Sequence, residues 1–132
     1  MTAIGNSSFL DSLNNTPIPV SFRVDKCEKK GHFRPDVSGE GMIQKHQEEE
    51  GYIIISCGTV ESFMLSPAEL QSLYKSSRVQ QKICTRRGEP EQVREFHFSE
   101  GKFLILDFTL NPVFSFKYEF LNITRYTITA RS

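Results

Sequence analysis

Arg78, Gln80, Lys82, Cys84 and Arg86 occupy alternate positions, and Arg87 follows directly. A period of two places the first five on one face of a β-strand. Three cations then share that face, and a fourth sits in the turn beyond. With Arg94, Lys117 and Arg125 from later strands pointing the same way, they would form a positive groove. Phosphates bind such a groove by charge, with steep salt dependence. Phe114, Phe116, Tyr118 and Phe120 alternate in the same way, with Ser115, Lys117 and Glu119 between them. On a single strand their rings form either a core face or a stacking platform. Phe96 and Phe98 favour a core, which leaves Tyr118 and Tyr126 as the rings to reach the surface and stack on bases. The competing arrangement is a solvated sheet face, with Arg94 and Lys117 paired across strands to Glu95 or Glu119.

Other residue types suggest chemistry with less support from spacing. Cys27, His32, His46 and Cys57 could supply a tetrahedral zinc site. The paired short spacings of a zinc finger or ribbon are missing, and Cys57 falls in an apolar segment where a reduced cysteine packs. Cys84, His97 and Asp107 are the residue types of a thiol triad, but no nucleophile signature surrounds them. There is no phosphate loop and no paired-carboxylate motif, and Gly39-Glu40-Gly41 is too short for a dinucleotide fingerprint. The chain therefore reads as a non-enzyme, with no cofactor, no metal and no catalytic residue assigned.

Composition bounds the partners. Among 132 residues, Lys plus Arg and Asp plus Glu number 16 each, so no global basic field exists and polyanion binding requires a local patch. Three widely spaced cysteines do not make a disulfide framework. With no apolar run long enough for a bilayer and no basic-then-apolar leader, the expectation is an intracellular protein, cytoplasmic or nuclear or made by a virus or phage in its host, with no membrane partner.

The elements that would position these residues follow from pattern. Residues 1–17, rich in Ser, Asn and Thr, read as a mobile tail in which Phe9, Leu10 and Leu13 could dock, and residues 18–132 read as one globular domain. Val20, Phe22 and Val24 alternate with Ser21, Arg23 and Asp25 as in a half-buried strand. Residues 34–51, with Pro35, Gly39, Gly41, Gly51 and the run Glu48-Glu49-Glu50, read as a long loop holding a short strand at 42–45. Tyr52–Cys57 is apolar on both faces, and Val60–Leu65 is a further strand. Ser66-Pro67-Ala68-Glu69 combines an N-cap, a proline at the first helical position and a capping box, which predicts a helix over 66–76. Strands follow at 78–85, 93–98, 103–110 and 123–129. A hairpin turn is expected at Ser99-Glu100-Gly101, and Asn111-Pro112 is expected to break pairing. The fold class is α+β: a curved, mostly antiparallel sheet, half-barrel or barrel-like, with one main helix.

The segment Leu65-Ser66-Pro67-Ala68-Glu69-Leu70-Gln71-Ser72-Leu73 resembles the strand-to-helix junction of the positive cofactor four and Whirly group. The resemblance implies sheets that bind single-stranded nucleic acid, with a helix for packing and self-association. This chain departs from the group in placing its helix mid-sequence and ending in strands.

The expected function is binding of single-stranded DNA or RNA. Arg78, Lys82, Arg86, Arg87 and Lys117 would contact phosphates, and Tyr118 and Tyr126 would stack. The alternative is a protein-interaction module, an adaptor, assembly factor or inhibitor, motivated by zero net charge, the acidic run at 48–50 and strands apolar on both faces. A homodimer through an uncovered strand edge and a barrel enclosing an apolar ligand are further expectations.

Overall fold

In a computed structural model, the chain forms an eight-stranded sheet crossed by a ten-residue helix. The structure describes residues 13, 16–29, 32–83, 86–89, 91–114 and 117–131, and the backbone alone at 28–29, 110–114 and 117–122. In chain order the elements are β1 (Ile18–Lys29), β2 (His32–Lys45), β3 (Ile53–Cys57), β4 (Glu61–Leu65), α1 (Pro67–Ser76), β5 (Arg78–Ile83), β6 (Glu91–Ser99), β7 (Lys102–Phe114) and β8 (Lys117–Ala130). The class is α+β. Among the described residues, no helix is long and apolar enough to cross a membrane.

Strand order is β4-β3-β2-β1-β8-β7-β6-β5, with every neighbouring pair antiparallel. Two meanders, β1–β4 and β5–β8, are joined at the centre by β1 against β8. Helix α1 links the two outermost strands, so the sheet must curl, and it forms a half-barrel. β4 comes within side-chain reach of β5 and β6: Gln81 Nε2 donates to the Met64 carbonyl at 3.0 Å, and Phe63 meets Phe96 edge to face at 6.0 Å.

Alternation decides what lies inside. Val20, Phe22 and Val24 of β1 are buried, as their spacing predicts, together with Ile53, Ile55 and Cys57 of β3 and Phe96 and Phe98 of β6. Each fully buried large side chain contributes roughly 1.5–3 kcal/mol. The helix adds Leu73, also fully buried. Its start is the predicted one. Ser66 Oγ accepts from the Glu69 N–H at 3.1 Å, and Glu69 Oε1 accepts from the Ser66 N–H at 2.8 Å. The hairpin at Ser99–Lys102 also stands, with Glu100 at φ 55° and Gly101 at φ 76° in the turn.

Two expectations are corrected. Residues 34–41 are strand rather than loop: β2 is one strand of 14 residues. Pro35, Gly39 and Gly41 suggested a loop, yet each fits a strand here. β2 pairs with β3 from Met42 to Lys45 and not before, so Pro35 sits where β2 has β1 on one side only. Gly41 is a close approach, since a Cβ there would lie 1.9 Å from the Ser56 carbonyl oxygen. The second correction concerns Asn111 and Pro112, which pair with Glu119 and Tyr118, so strand pairing continues through them. The pairing of β7 with β6 ends at Leu110, and Pro112 again costs no second ladder. Phe114 therefore closes β7 while Tyr118 and Phe120 lie on β8, and the aromatic row does not share one strand. Phe116 and the side chains of Phe114, Tyr118 and Phe120 lie outside the described residues.

Candidate nucleic-acid interface

Register assigns the outer face of the sheet residue by residue. One row across it runs Arg78, His97, Leu104, Thr127, Arg23 and Ser38, from β5 to β2. The next runs Gln80, Glu95, Leu106, Arg125 and Asp25. Beyond it Lys82, Val93 and Phe108 align at one end, and Ile123, Cys27 and Phe33 at the other. Lys102 stands opposite Thr129 on the other side of the first row. The middle of this face is thus apolar, with Leu104, Leu106 and Phe108 half-buried. Cations flank it from β5 on one side and from β1 and β8 on the other.

Arg23, Asp25 and Arg125 form one group on this face. Arg23 Nε and an Arg125 terminal nitrogen both donate to the same oxygen of Asp25, at 3.1 and 3.2 Å. Asp25 is 3% exposed and is the buried charge of the outer face. It holds both guanidiniums in place but neutralises one charge for two. The Arg125 guanidinium also lies over the Phe33 ring, 4.0 Å from its centroid, and Phe33 remains 36% exposed. Beside this group is a depression of about 400 Å³, lined by Arg23, His97, Lys102, Leu104, Arg125 and Thr127, with Glu100 at its rim.

The β5 side is more fully paired. Arg78 donates to Glu95 at 2.8 Å, Gln80 donates to the same oxygen at 2.9 Å, and His97 Nε2 lies 3.2 Å from the other oxygen. Burial alone would raise the Glu95 carboxyl. The hydrogen bonds from Arg78, His97 and Gln80, with the Arg78 charge, outweigh it and hold the group below the usual carboxylate range. Lys82 is 3.4 Å from Glu91. Arg86 and Arg87 are exposed between β5 and β6. Over β5–β8 and β1, the described outer face carries five cations, Arg23, Arg78, Lys82, Lys102 and Arg125, against three carboxylates, Asp25, Glu91 and Glu95.

Of the residues expected from sequence, Arg78 and Lys82 share the outer face of β5, and Arg86 and Arg87 follow it. Cys84 and the side chains of Lys117 and Tyr118 lie outside the described residues. Tyr126 points the other way. It is 7% exposed and packs on Phe63 at 4.9 Å, edge to face, which makes it a core ring without a free face for a base. Burial, with Asp107 and Glu61 nearby, pushes its phenol up to about 12 against the opposing pull of Arg94. Arg94, expected in the groove, faces inward too, donating to both oxygens of Asp107 at 2.6 and 2.8 Å. His97 and Asp107 are on opposite faces and form no triad. Among the described residues, no group of three or more His, Cys, Asp or Glu is placed to hold a metal ion. The zinc candidates are separated: Cys57 is buried in β3, and His46 Nδ1 accepts the N–H groups of Glu48 and Glu49 at 3.0 Å each.

Sequence reading missed Asp25, Phe33, Lys102 and Arg23, and it placed Arg125 in the groove without its sharing of Asp25 with Arg23. The alternation of β1 does put Arg23 and Asp25 on its outer side. The arrival of Arg125 depends on pairing between strands 100 residues apart, which no local pattern encodes. Comparison of the chain with protein-family models, with curated proteins and with solved structures finds no match.

Proposed function

We propose that this chain is a non-enzymatic nucleic-acid-binding protein that takes single-stranded DNA or RNA across the outer face of its sheet. The observation that carries the reading is the sharing of one carboxylate, Asp25, by two oriented arginines, one of them stacked on an exposed ring. That arrangement leaves surplus positive charge on fixed guanidinium planes. Fixed planes suit phosphate oxygens, and they lose little freedom on binding. Arg78 and Arg23 share a row but stand four strand spacings apart, roughly 19 Å along the sheet. Phosphates would meet cations at both flanks, while bases lie over Leu104 and Leu106 and against Phe33. Arg86 and Arg87 extend the β5 flank, and Lys117 and Tyr118 remain in the proposed set by sequence. A flexible single strand can lay its bases on such a surface, which a duplex keeps stacked inside.

The test uses the full chain and a fluorescein-labelled oligothymidylate, followed by anisotropy over a salt series. Arg23→Gln with Arg125→Gln should weaken binding about tenfold and flatten the salt slope by about 1.4, near 0.7 per lost contact. Arg86→Glu with Arg87→Glu should abolish retention. Unaltered binding by folded variants ends the proposal.

A second reading, a protein-interaction module, is favoured by the half-buried Leu104, Leu106 and Phe108, an apolar middle inside a polar rim. Such an interface would respond little to salt, which separates the two readings.

A further inference from the structure

A second depression, about 650 Å³ in volume, lies between α1 and the loop joining β2 to β3. Its apolar lining includes Tyr52, Pro67, Leu70 and Tyr74, and Tyr74 is 43% exposed. Glu48 and Glu50 edge it on the loop side, with Glu49 exposed between them. Lys45 is the cation among its lining residues.

The loop that bears the glutamates is held in a fixed shape. His46 Nδ1 accepts from two backbone N–H groups, those of Glu48 and Glu49. The His46 N–H donates to the Tyr52 carbonyl at 2.9 Å, and the Tyr52 N–H to the Glu49 carbonyl at 3.2 Å. Gly51, at φ +84°, turns the chain against the helix start, where a Cβ would come 2.7 Å from Pro67 Cγ. The run that reads in sequence as a loose acidic stretch is thus an ordered rim beside an apolar groove. Among the described residues, none of the three glutamates has a cationic partner.

We infer that this groove docks a segment of a partner protein that carries arginines or lysines around an apolar anchor. Charge complementarity selects that occupant. Two lining carboxylates, Glu48 and Glu50, with Glu49 exposed between them, outweigh the lining Lys45 and repel a polyanion and an acidic peptide alike, while a cationic segment gains attraction at the rim and burial at the floor. The site is separate from the outer face of the sheet and does not depend on the nucleic-acid reading.

The experiment measures anisotropy of a short fluorescein-labelled peptide in which arginines flank a Leu-Phe pair, titrated with the full chain at about 0.15 M salt. A companion peptide carries glutamate in place of each arginine. The arginine peptide should bind and the glutamate peptide should not. Glu48→Gln with Glu50→Gln should weaken binding about tenfold, and Tyr74→Ala by a similar factor. Gln71→Arg, at an exposed lining position that carries no fold risk, should weaken it as well. Binding unchanged in folded Gln71→Arg and Tyr74→Ala proteins would overturn the inference. So would a sedimentation shift to monomer in those variants without any peptide binding, since the occupant would then be a second copy of this chain.

Discussion

Two tyrosines show how position rather than residue type assigns a role. The sequence pattern offers Tyr126 as a stacking ring, yet it is packed on Phe63 beside Arg94 and two carboxylates. Its phenol is pushed from the ordinary value near 10 up to about 12, so the folded state disfavours its ionisation. An acid with a raised folded pKa contributes stability that is full below the unfolded value and is lost as pH climbs through the folded one. The loss falls between about pH 10 and 12. Absorbance at 295 nm should show one tyrosine titrating last, together with unfolding, and Tyr126→Phe should delete that step. A Tyr126 that titrates near 10 in the folded protein would contradict the packing. Cys57, held up to about 11 first by burial and then by Glu61, belongs to the same enclosed group. Tyr74, by contrast, keeps much of its surface in solvent and serves the groove.

At the scale of elements, some segments announce themselves and others do not. Helix α1 was legible because its signals are local: Ser66, Pro67 and Glu69 satisfy its first turn within four residues. The turn at Glu100-Gly101 was legible for the same reason. β2 was not, because the reasons for its glycines lie on another strand. Gly41 is small to admit the Ser56 carbonyl, whereas a Cβ at Gly39 would meet the tip of the Phe22 ring at 3.2 Å. The two sites therefore predict opposite tolerances. Gly41→Ala should cost about 2–4 kcal/mol in urea unfolding, since backbone must move, while Gly39→Ala should cost less than about 1 kcal/mol. Equal effects would show that the Ser56 carbonyl does not approach Gly41 as described. The candidate interface was half legible in the same sense. Arg78 and Lys82 follow from the period of β5, but the Arg23, Asp25 and Arg125 group exists only once β1 meets β8.

The whole molecule is a sheet whose two outer strands are held near each other without a backbone ladder. Arg94 is central to that closure. It binds Asp107, reaches Glu61 of β4 at 3.6 Å, and lies over the Phe63 ring 4.6 Å from its centroid. Replacing it with Met keeps the bulk but leaves the Asp107 charge in a half-enclosed place with no donor. Arg94→Met should cost about 2–3 kcal/mol, below the range for a fully buried pair because Arg94 and Asp107 keep 15% and 21% exposure. Adding Asp107→Leu should return much of it, as a double-mutant cycle would show. Additive losses would mean that the pair does not act as a unit.

The central pairing of β1 with β8 has a consequence for synthesis. Val20 pairs with Ala130, so β1 has no partner on that side until β8 is made. Until β8 emerges, β1 and β7 each present an unmated border, and the sheet cannot seal. The sheet therefore stays open at its middle until β8 is in place, and the arginine pair over Asp25 comes into being only then.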